Sequence, residues 1–275
     1  MMKKTSRFLT ILLILAAVLT AAGPADRIVS IAPSITEEIY LLGAGGRIVA
    51  DTTYCVYPEE ARKKPKIGNI LDINLEKIAS LKPDIVIGTS INEQSRISRL
   101  KDLGIKVRLI PEGSSFREMC SNFLILGSLI GRDAEAARLV GRYKDRLAKI
   151  SRKNRKQSHV LSVLFVVGTE PLIVAGRGSF IDEIIGFSGF GNAVSEKKAY
   201  LRYSLETAVR QDPDIIVISI PPEFAEKEKK TWKRYPNLKA VRNGRIYSVD
   251  PDLFGLAVPS RFVKATETLI ALTSR

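Results

Sequence analysis

Short apolar runs rich in β-branched residues recur along this chain, separated by segments in which apolar residues return at helical spacing. The runs occupy residues 27–32, 47–51, 85–89, 106–110, 159–167, 214–219 and 245–249. Continuous apolar runs of this kind predict strands that are buried on both faces, and the amphipathic segments between them predict the helices that cover those faces. The alternation indicates an α/β protein with mostly parallel sheets.

Polar residues that can cap helices stand where several of the amphipathic segments begin. Ser34 is followed three positions later by Glu37, which predicts a capping box with Ser34 as the N-cap. Asn74 and Ser204 each precede a Leu-Glu pair, and both are predicted to cap further helices. We therefore expect helices to start at these positions.

One phrase occurs twice, as LEKIASLKPDIVIGT in residues 75–89 and as LETAVRQDPDIIVIS in residues 205–219. The neighbouring segments also correspond in the same order: residues 34–49 with 180–194, and residues 104–111 with 244–251. The two copies begin 130 residues apart, which is longer than the repeat of a solenoid. The repeat therefore predicts two related lobes. Convergent use of one helix-turn-strand pattern is the alternative.

The segment between the two copies predicts one long helix over residues 133–156. Its apolar residues recur at helical spacing, and they are Leu139, Val140, Tyr143, Leu147 and Ile150. The segment does not have the Gly, Ser and Pro content of a flexible linker. We predict two Rossmann-like lobes with central, mostly parallel sheets, residues 23–132 and 157–275, joined by this helix.

The first residues have the composition of an export signal. A basic segment up to Arg7 precedes an apolar run over residues 8–19, and small residues follow it. The run is short for a membrane span, so we predict that residues 1–22 are a secretory signal peptide cleaved near Ala22. An uncleaved anchor is the alternative. No cysteine lies at the cleavage point, so we expect a periplasmic protein without a lipid anchor.

The composition describes a globular and strongly basic chain. Apolar residues make up 45% of the sequence and charged residues 26%, which excludes a disordered protein, and the formal net charge is +14. A basic balance suggests nucleic acid, an anionic surface or an anionic ligand, and Arg177 and Arg202 would suit an anionic ligand. The sequence has no nucleic-acid recognition module, so we expect no nucleic-acid partner.

The two cysteines, Cys55 and Cys120, give little structural information by themselves. Export would permit a disulfide between them, but their spacing does not show whether they meet. Cys120 lies in a helical apolar stripe with Phe116, Met119 and Phe123. It is therefore predicted to be a small buried apolar residue, and no disulfide is assumed.

The chain lacks the residue constellations of common enzymes and metal sites. His159 is the only histidine, so neither a histidine-rich metal site nor the usual catalytic triad is expected. No phosphate-binding loop of the Walker type occurs, and the glycine-rich AGRGSF of residues 175–180 is more often a tight turn. We predict a protein that is not an enzyme, with no catalytic residues, no metal site and no resident cofactor.

Loops at the predicted carboxyl ends of the strands are candidates for a binding site, because ligands of open α/β sheets lie there. Aromatic residues in or near these loops could form the walls of a cleft. They are Tyr54, Tyr57, Tyr200, Tyr203 and Phe254. Each residue alone is equally compatible with the core or the surface, and only the set favours a ligand.

Three segments resemble the helical-backbone class of ABC-transporter substrate-binding proteins. They are RIVSIAPSITEEIYLLGAGGRIVADTTYCVYP (27–58), NLEKIASLKPDIVIG (74–88) and SLETAVRQDPDIIVIS (204–219). The resemblance runs over essentially the whole mature chain and keeps the order of elements. The nearest group looks like the cobalamin-binding type, with siderophore- and haem-binding relatives.

The resemblance implies a periplasmic protein that captures a cobalamin-like corrinoid between its lobes and delivers it to an ABC permease. A ferric siderophore or haem is the alternative ligand, and an exported sensor without a transport role is the alternative function. The implied partners are an inner-membrane permease with its cytoplasmic ATPase. We expect a monomer, and the cobalt- or iron-containing chelate would be its ligand.

The resemblance also implies roles for individual residues. Glu76 and Glu206, one in each copy of the repeat, match glutamates that dock onto permease arginines. They also suit the first turn of a helix, where acids are ordinary.

The implied ligand residues are Pro33, Tyr54, Tyr200 and Asp252, to which the aromatic pattern adds Phe254. Ile70 and Leu256 depart from the pattern of the cobalamin binders, because they stand where tryptophan and arginine can occur.

Overall fold

The computed structural model describes residues 25–154 and 160–273. The predicted signal peptide of residues 1–22 and the single histidine, His159, lie outside the described residues. Within the described ranges, no helix combines the length and the apolar character that a membrane span requires.

The first half of the chain forms a four-stranded sheet in which every pairing is parallel. Its strands are β1 (Ile28–Ser30), β2 (Ile48–Ala50), β3 (Ile85–Thr89) and β4 (Val107–Ile110). They lie in the order β2–β1–β3–β4. Every residue of β1 and β3 is buried, which explains why the sequence shows them as continuous apolar runs.

The helices of this half connect the strands and cover the sheet. They are α1 (Pro33–Leu41), α2 (Glu59–Arg62), α3 (Leu75–Ser80), α4 (Gln94–Asp102) and α5 (Phe116–Leu129). The predicted start of α3 is confirmed, because the Asn74 side chain accepts a hydrogen bond from the Lys77 amide at 2.8 Å. A cap of this kind satisfies one of the amides that the first turn of a helix leaves free.

The capping box predicted at Ser34 does not form. Helix α1 starts at Pro33, whose fixed φ and missing amide hydrogen suit the first position of a helix, and no side chain caps it. The Glu37 carboxylate pairs instead with Arg261. The prediction was wrong because the partner of Glu37 lies far away in sequence, where a local pattern gives no information.

The second half forms a six-stranded sheet, partly parallel and partly antiparallel. Its strands are β5 (Ser162–Thr169), β6 (Leu172–Ala175), β7 (Gly191–Asn192), β8 (Tyr200–Arg202), β9 (Ile215–Ile218) and β10 (Ile246–Ser248). The pairs β5–β7, β5–β9 and β9–β10 are parallel, whereas β5–β6 and β6–β8 are antiparallel. The sequence analysis did not predict β6, β7 or β8, which lie outside the apolar runs that it identified as strands.

Helix α6 (Asp133–Asn154) precedes this second sheet in the chain. The other helices are α7 (Phe180–Phe187), α8 (Leu205–Arg210), α9 (Pro222–Lys233), α10 (Lys239–Arg242), α11 (Pro251–Gly255) and α12 (Pro259–Thr273). The predicted cap of α8 is confirmed, because the Ser204 hydroxyl accepts a hydrogen bond from the Thr207 amide at 3.1 Å.

The two sheets share one topology, which explains the sequence repeat. In the second sheet the parallel strands lie in the order β7–β5–β9–β10. This order matches β2–β1–β3–β4 of the first sheet strand by strand. The repeated phrase forms α3 and β3 in the first half and α8 and β9 in the second. The halves are therefore structural repeats, and the second carries an additional antiparallel extension.

Helix α6 is the predicted connecting helix, and a second helix also holds the halves together. Helix α12 follows the second sheet but packs against α6, α7 and also α5 of the first half. Phe262 of α12 lies 5.0 Å from Phe116 and 5.9 Å from Phe187, measured between ring centroids. The apolar core is therefore continuous from one half to the other.

Both cysteines are buried and free. Cys120 lies among the apolar residues that join α5 to its neighbours, as its sequence pattern predicts. Burial raises the pKa of the Cys120 thiol to about 11, so the thiol stays protonated and unreactive at neutral pH.

Candidate functional site

Segments at the carboxyl edges of the two sheets meet around a cavity of about 370 Å³, which we call the Tyr200 cavity. Its lining consists of Ser34, Ile35, Glu38, Thr89, residues 110–114, Asn122, residues 178–180, residues 199–200 and residues 255–257. The loops that follow parallel strands therefore bring both halves of the chain to one site, as expected for an open α/β sheet.

A second cavity of about 210 Å³, which we call the Tyr54 cavity, adjoins the first because Leu256 lines both. The Tyr54 cavity is lined by Pro33, Glu37, Tyr54, Val56, Tyr57, Ile70, Asp252, Leu256 and Arg261. A third cavity of about 290 Å³ shares Glu37, Tyr57 and Arg261 with it. The three cavities form one cleft between the two halves.

The cleft contains four of the residues that the sequence analysis assigned to the ligand. Pro33, Tyr54 and Asp252 lie together in the Tyr54 cavity, whereas Tyr200 lines the neighbouring cavity. Tyr54 is 60% exposed and Tyr200 is 48% exposed, so a ligand can reach both rings. The two tyrosines line different cavities of the cleft, and Leu256 lines both of these cavities.

Phe254 and Tyr203 are not part of the cleft, so the expectation that they line it is wrong. Phe254 is 2% exposed, and its ring centroid lies 5.2 Å from that of Phe165 in the core. It is buried because α11 begins at Pro251 and turns this side chain toward β5. Tyr203 is also buried, and its hydroxyl donates a hydrogen bond to Glu196 at 2.8 Å.

The two residues that depart from the family pattern, Ile70 and Leu256, both line the Tyr54 cavity. These positions therefore lie in the same cleft as Pro33, Tyr54 and Asp252. Both side chains are aliphatic and add apolar surface to the cavity, and Arg261 is the cation among the described residues that line it.

Arg261 connects the halves beside this cavity and was missed by the sequence analysis. Its Nε lies 2.6 Å from a carboxylate oxygen of Glu37 on α1, and a second guanidinium nitrogen donates to the Asp252 carbonyl. The guanidinium also lies over the Tyr57 ring, 5.2 Å from its centroid. The only sequence signal is an arginine near the start of an apolar helix, and it does not identify the partner.

The neighbouring carboxyls of Glu37 and Glu38 differ in their environment. Burial raises the pKa of Glu37, and the charge of Arg261 offsets part of this effect. Burial raises the pKa of Glu38 well above its ordinary value, and the charge of Glu37 adds to the effect. Arg261 therefore favours the charged form of Glu37, whereas burial and the charge of Glu37 favour the neutral form of Glu38.

A partly buried lysine, Lys66, anchors the loop that carries Tyr54 and Tyr57. The Lys66 ammonium lies 2.6 Å from Asp51 and donates to the carbonyls of Cys55 and Ala61 at 3.2 and 2.9 Å. One carboxylate oxygen of Asp51 has no hydrogen-bond partner in the described part of the chain. Burial therefore outweighs Lys66 and raises the pKa of Asp51 to about 6.

We expect Asp51→Asn to remove a pH dependence of stability that the wild type has. The folded-state pKa of about 6 exceeds the ordinary value of 3.8, so the folded wild type binds a proton that the unfolded chain has released. Stability from this group is fully present below about pH 4 and is lost as the pH rises through about 6.

Urea unfolding at a series of pH values tests this expectation. Between about pH 8 and about pH 4 the wild type should gain about 3 kcal/mol relative to Asp51→Asn. Parallel stability profiles of the two proteins would contradict it.

The Asn92 side chain connects the ends of strands β1 and β3 with the loop that carries Ile70. Its side-chain amide donates to the carbonyls of Ile31 and Ile70 at 3.1 and 3.3 Å, and its oxygen accepts from the Thr89 amide. The side chain is 2% exposed. One buried amide therefore ties together loops that carry cleft residues.

Glu76 and Glu206 lie outside the cleft. Both are exposed in the first turns of α3 and α8, and neither lines any of the three cavities. A hydrogen bond from its own backbone amide, then one from Ser204, lowers the pKa of Glu206. Both positions are therefore available to a partner on the surface.

Arg177 and Arg202, which the sequence analysis considered for an anionic ligand, are exposed and line none of the three cavities. Across residues 25–154 and 160–273, no cluster of three His, Cys, Asp or Glu side chains could hold a metal ion. The described side chains that line the cleft are mainly aromatic, aliphatic, hydroxyl and carboxyl groups, together with Arg62, Arg261 and Lys264.

Comparison with known proteins places this architecture among solute-binding proteins. A family model described as periplasmic binding protein matches residues 28–253. The ABC transporter substrate-binding lipoprotein YvrC of Bacillus subtilis is 31% identical, covering 88% of this chain and 78% of its own length. The vitamin B12-binding protein of Vibrio cholerae is 25% identical, covering 91% of this chain and 90% of its own.

A solved structure agrees with this assignment. The crystal structure of a possible iron-binding, periplasmic solute-binding protein from Staphylococcus epidermidis matches with a TM-score of 0.80 at 27% identity. The match covers 92% of this chain and 100% of that chain. Members of the family are transport solute-binding proteins that work with a membrane permease and an ATPase, and they are not enzymes. The chain belongs to the periplasmic binding protein family of ABC transporters.

Proposed function

We propose that this chain is exported, with residues 1–22 removed, and captures a cobalamin-like corrinoid in the cleft for delivery to an ABC permease. The observation that carries the proposal is the open aromatic surface between the two halves. Tyr54 and Tyr57 are 60% and 55% exposed, Tyr200 is 48% exposed, and all three line the cleft. Exposed apolar surface of this kind marks a binding site.

The chemistry of the cleft suits a bulky and largely flat ligand. Aromatic rings offer wide apolar faces with polar edges, and they pack well against the face of a macrocycle. Ile70 and Leu256 extend the apolar surface of the Tyr54 cavity, and Asp252 and Arg261 supply polar groups at its wall. A site with apolar walls and few polar groups is typical of small-molecule binding.

The ligands named for two of the similar proteins support a bulky ligand that contains a chelated metal ion. One of them is a vitamin B12-binding protein, and one structural neighbour is described as an iron-binding protein. A ferric siderophore or haem is therefore the second candidate ligand for the same cleft. An exported sensor with this fold would bind the ligand without engaging a permease.

We also propose that Glu76 and Glu206 dock onto the permease, and that the protein acts as a monomer. The two carboxylates occupy equivalent positions of the structural repeat, one in each half. Each is exposed and lies in the first turn of a helix that is capped by a side chain, where an acid suits the helix dipole. A permease with two related subunits could engage both halves at once.

Calorimetry with cyanocobalamin, haem and a ferric siderophore tests the proposed function. We expect cyanocobalamin to bind, and we expect Tyr54→Ala and Tyr200→Ala each to weaken binding about tenfold, because each removes an aromatic contact. Phe224→Ala is the matched control, since Phe224 is an exposed aromatic residue on α9 outside the cleft.

No binding of any of these ligands at high micromolar concentration would defeat the proposed function. Binding of haem or the siderophore alone would keep the transport role and replace the corrinoid.

A further inference from the structure

Glu38 is a buried carboxyl that faces the ligand cleft without a partner. It lies on α1, is 4% exposed and lines the Tyr200 cavity. In the described part of the chain, no side chain or amide donates a hydrogen bond to it. A buried polar group without a partner is costly, so an unpartnered one at a cavity wall points to a ligand.

The repeat provides a direct comparison for this residue. Ile184 on α7 occupies the position that corresponds to Glu38, because the Glu38 carbonyl accepts from the Leu42 amide as the Ile184 carbonyl accepts from the Ser188 amide. Ile184 is fully buried in the apolar core. The second half therefore has an apolar side chain at the position where the first half presents the carboxyl of Glu38 to the cleft.

None of the lysines and arginines that the structure describes lines the Tyr200 cavity. The titratable residues of its lining are Glu38, Glu112 and Tyr200. Arg261, which contacts α1, is paired with Glu37. A carboxylate or phosphate group of a ligand would find no cation here to balance its charge.

Backbone amides at the start of α1 can donate hydrogen bonds to the cavity. Ser34 in the first turn of α1 and Phe180 at the start of α7 both line it, and Ser179 caps α7. Helix α1 has no side-chain cap, so the amides of its first turn have no acceptor within the helix. The cavity therefore offers donors to an oxygen acceptor.

The surroundings of Glu38 disfavour its charged form. The carboxyl of Glu37 adjoins it on the same helix, the Cys120 thiol of α5 is protonated, and Glu112 is an exposed residue of the cavity lining. No cation offsets the burial of Glu38, whose pKa is raised well above its ordinary value. A neutral carboxylic acid is a hydrogen-bond donor.

We propose that the Tyr200 cavity is a subsite for an uncharged oxygen-acceptor group of the ligand, such as a carboxamide, with Glu38 as its specificity-determining donor. This assignment rests on the proposed function, because it concerns the same cleft. It predicts that the protein prefers amide-bearing over carboxylate-bearing chelates.

The test compares Glu38→Leu, Glu38→Gln and Glu223→Gln by calorimetry. Cyanocobalamin is the amide-bearing probe, and haem and ferric citrate are the carboxylate-bearing probes. Glu38→Leu removes the donor and should weaken cyanocobalamin binding about three- to tenfold, whereas Glu38→Gln keeps a neutral donor and should rescue it. Glu223 is an exposed first-turn acid on α9 and serves as the surface control.

The outcomes separate this proposal from the proposed function. If the wild type binds cyanocobalamin and Glu38→Leu binds it equally well, the subsite is overturned and the function stands. If the wild type binds only the carboxylate-bearing probes, the subsite is overturned and the transport role stands. If it binds none of the probes, the proposed function fails, and the subsite fails with it.

A measurement without ligand tests the neutral state of Glu38 directly. The folded wild type should lose stability relative to Glu38→Gln as the pH rises through the pKa of the buried acid, because ionisation in the core is unfavourable. Parallel urea-unfolding profiles of the two proteins up to about pH 9 would overturn the proposal, since buried acids titrate below that value.

Discussion

Replacing Arg261 by methionine is expected to lower the free energy of unfolding by about 3–5 kcal/mol, because it leaves a buried carboxylate without its cation. The side chains of Arg261 and Glu37 are 12% and 4% exposed, and the atoms that join them are 2.6 Å apart. Arg261 also donates to the Asp252 carbonyl and lies over the Tyr57 ring. Urea unfolding at neutral pH measures the loss.

The loss of unfolding free energy in Arg261→Met should depend on pH in a defined direction. Burial already raises the pKa of Glu37, and removing Arg261 takes away the group that lowers it. An acid whose folded-state pKa is raised contributes stability at low pH and loses it as the pH rises through that pKa. The destabilisation of Arg261→Met should therefore shrink as the pH falls.

Two further variants serve as controls. Glu37→Gln combined with Arg261→Met should recover most of the stability, since removing both charges leaves no unpaired ion in the core. Arg146→Met should cost at most about 1 kcal/mol, because the Arg146–Glu267 pair also joins two helices but lies at the surface. A full deficit that persists in the double variant would contradict the electrostatic explanation.

Replacing both Glu76 and Glu206 by alanine is expected to weaken permease docking about a hundredfold while leaving ligand affinity unchanged. A charge-assisted hydrogen bond contributes roughly 1.5–3 kcal/mol, so each loss corresponds to about tenfold or more, and distant sites add. Neither residue lines the cleft. Folding should survive, because a first-turn acid contributes only about 0.3–1 kcal/mol.

Uptake assays with the cognate permease, run beside calorimetry on the soluble protein, test this prediction. The matched control is Glu59→Ala with Glu223→Ala, which removes an exposed first-turn acid from α2 in one half and from α9 in the other. Uptake should fall in the first double variant and not in the control. Equal uptake in both would reduce Glu76 and Glu206 to ordinary helix starts.

Much of the architecture could be predicted because its determinants are local. The apolar run at residues 85–89 is strand β3, and the caps at Asn74 and Ser204 form as expected. A strand buried on both faces must be continuously apolar, and a cap acts within one helical turn. Both signals therefore lie within a few adjacent residues.

The repeat extended this local information to the topology. Two segments with the same helix-turn-strand pattern adopt the same position in their sheets, as α3 with β3 and α8 with β9. The antiparallel strands β6 and β8 fall outside the repeated pattern and were not anticipated. The repeat is informative only where both halves preserve it.

The sequence by itself determined seven of the ten strands in the described part of the chain, two of the three predicted helix caps, the connecting helix and the family. The tertiary structure alone decided which aromatic residues line the cleft and which charges are paired. Phe254 and Tyr54 were equivalent candidates by sequence, yet one is 2% exposed and the other 60% exposed. The sequence predicted a local capping box that includes Glu37, whereas in the structure Glu37 pairs with Arg261, 224 residues away. Burial and charge pairing depend on which distant segments meet, and a periodic pattern describes only neighbours along the chain.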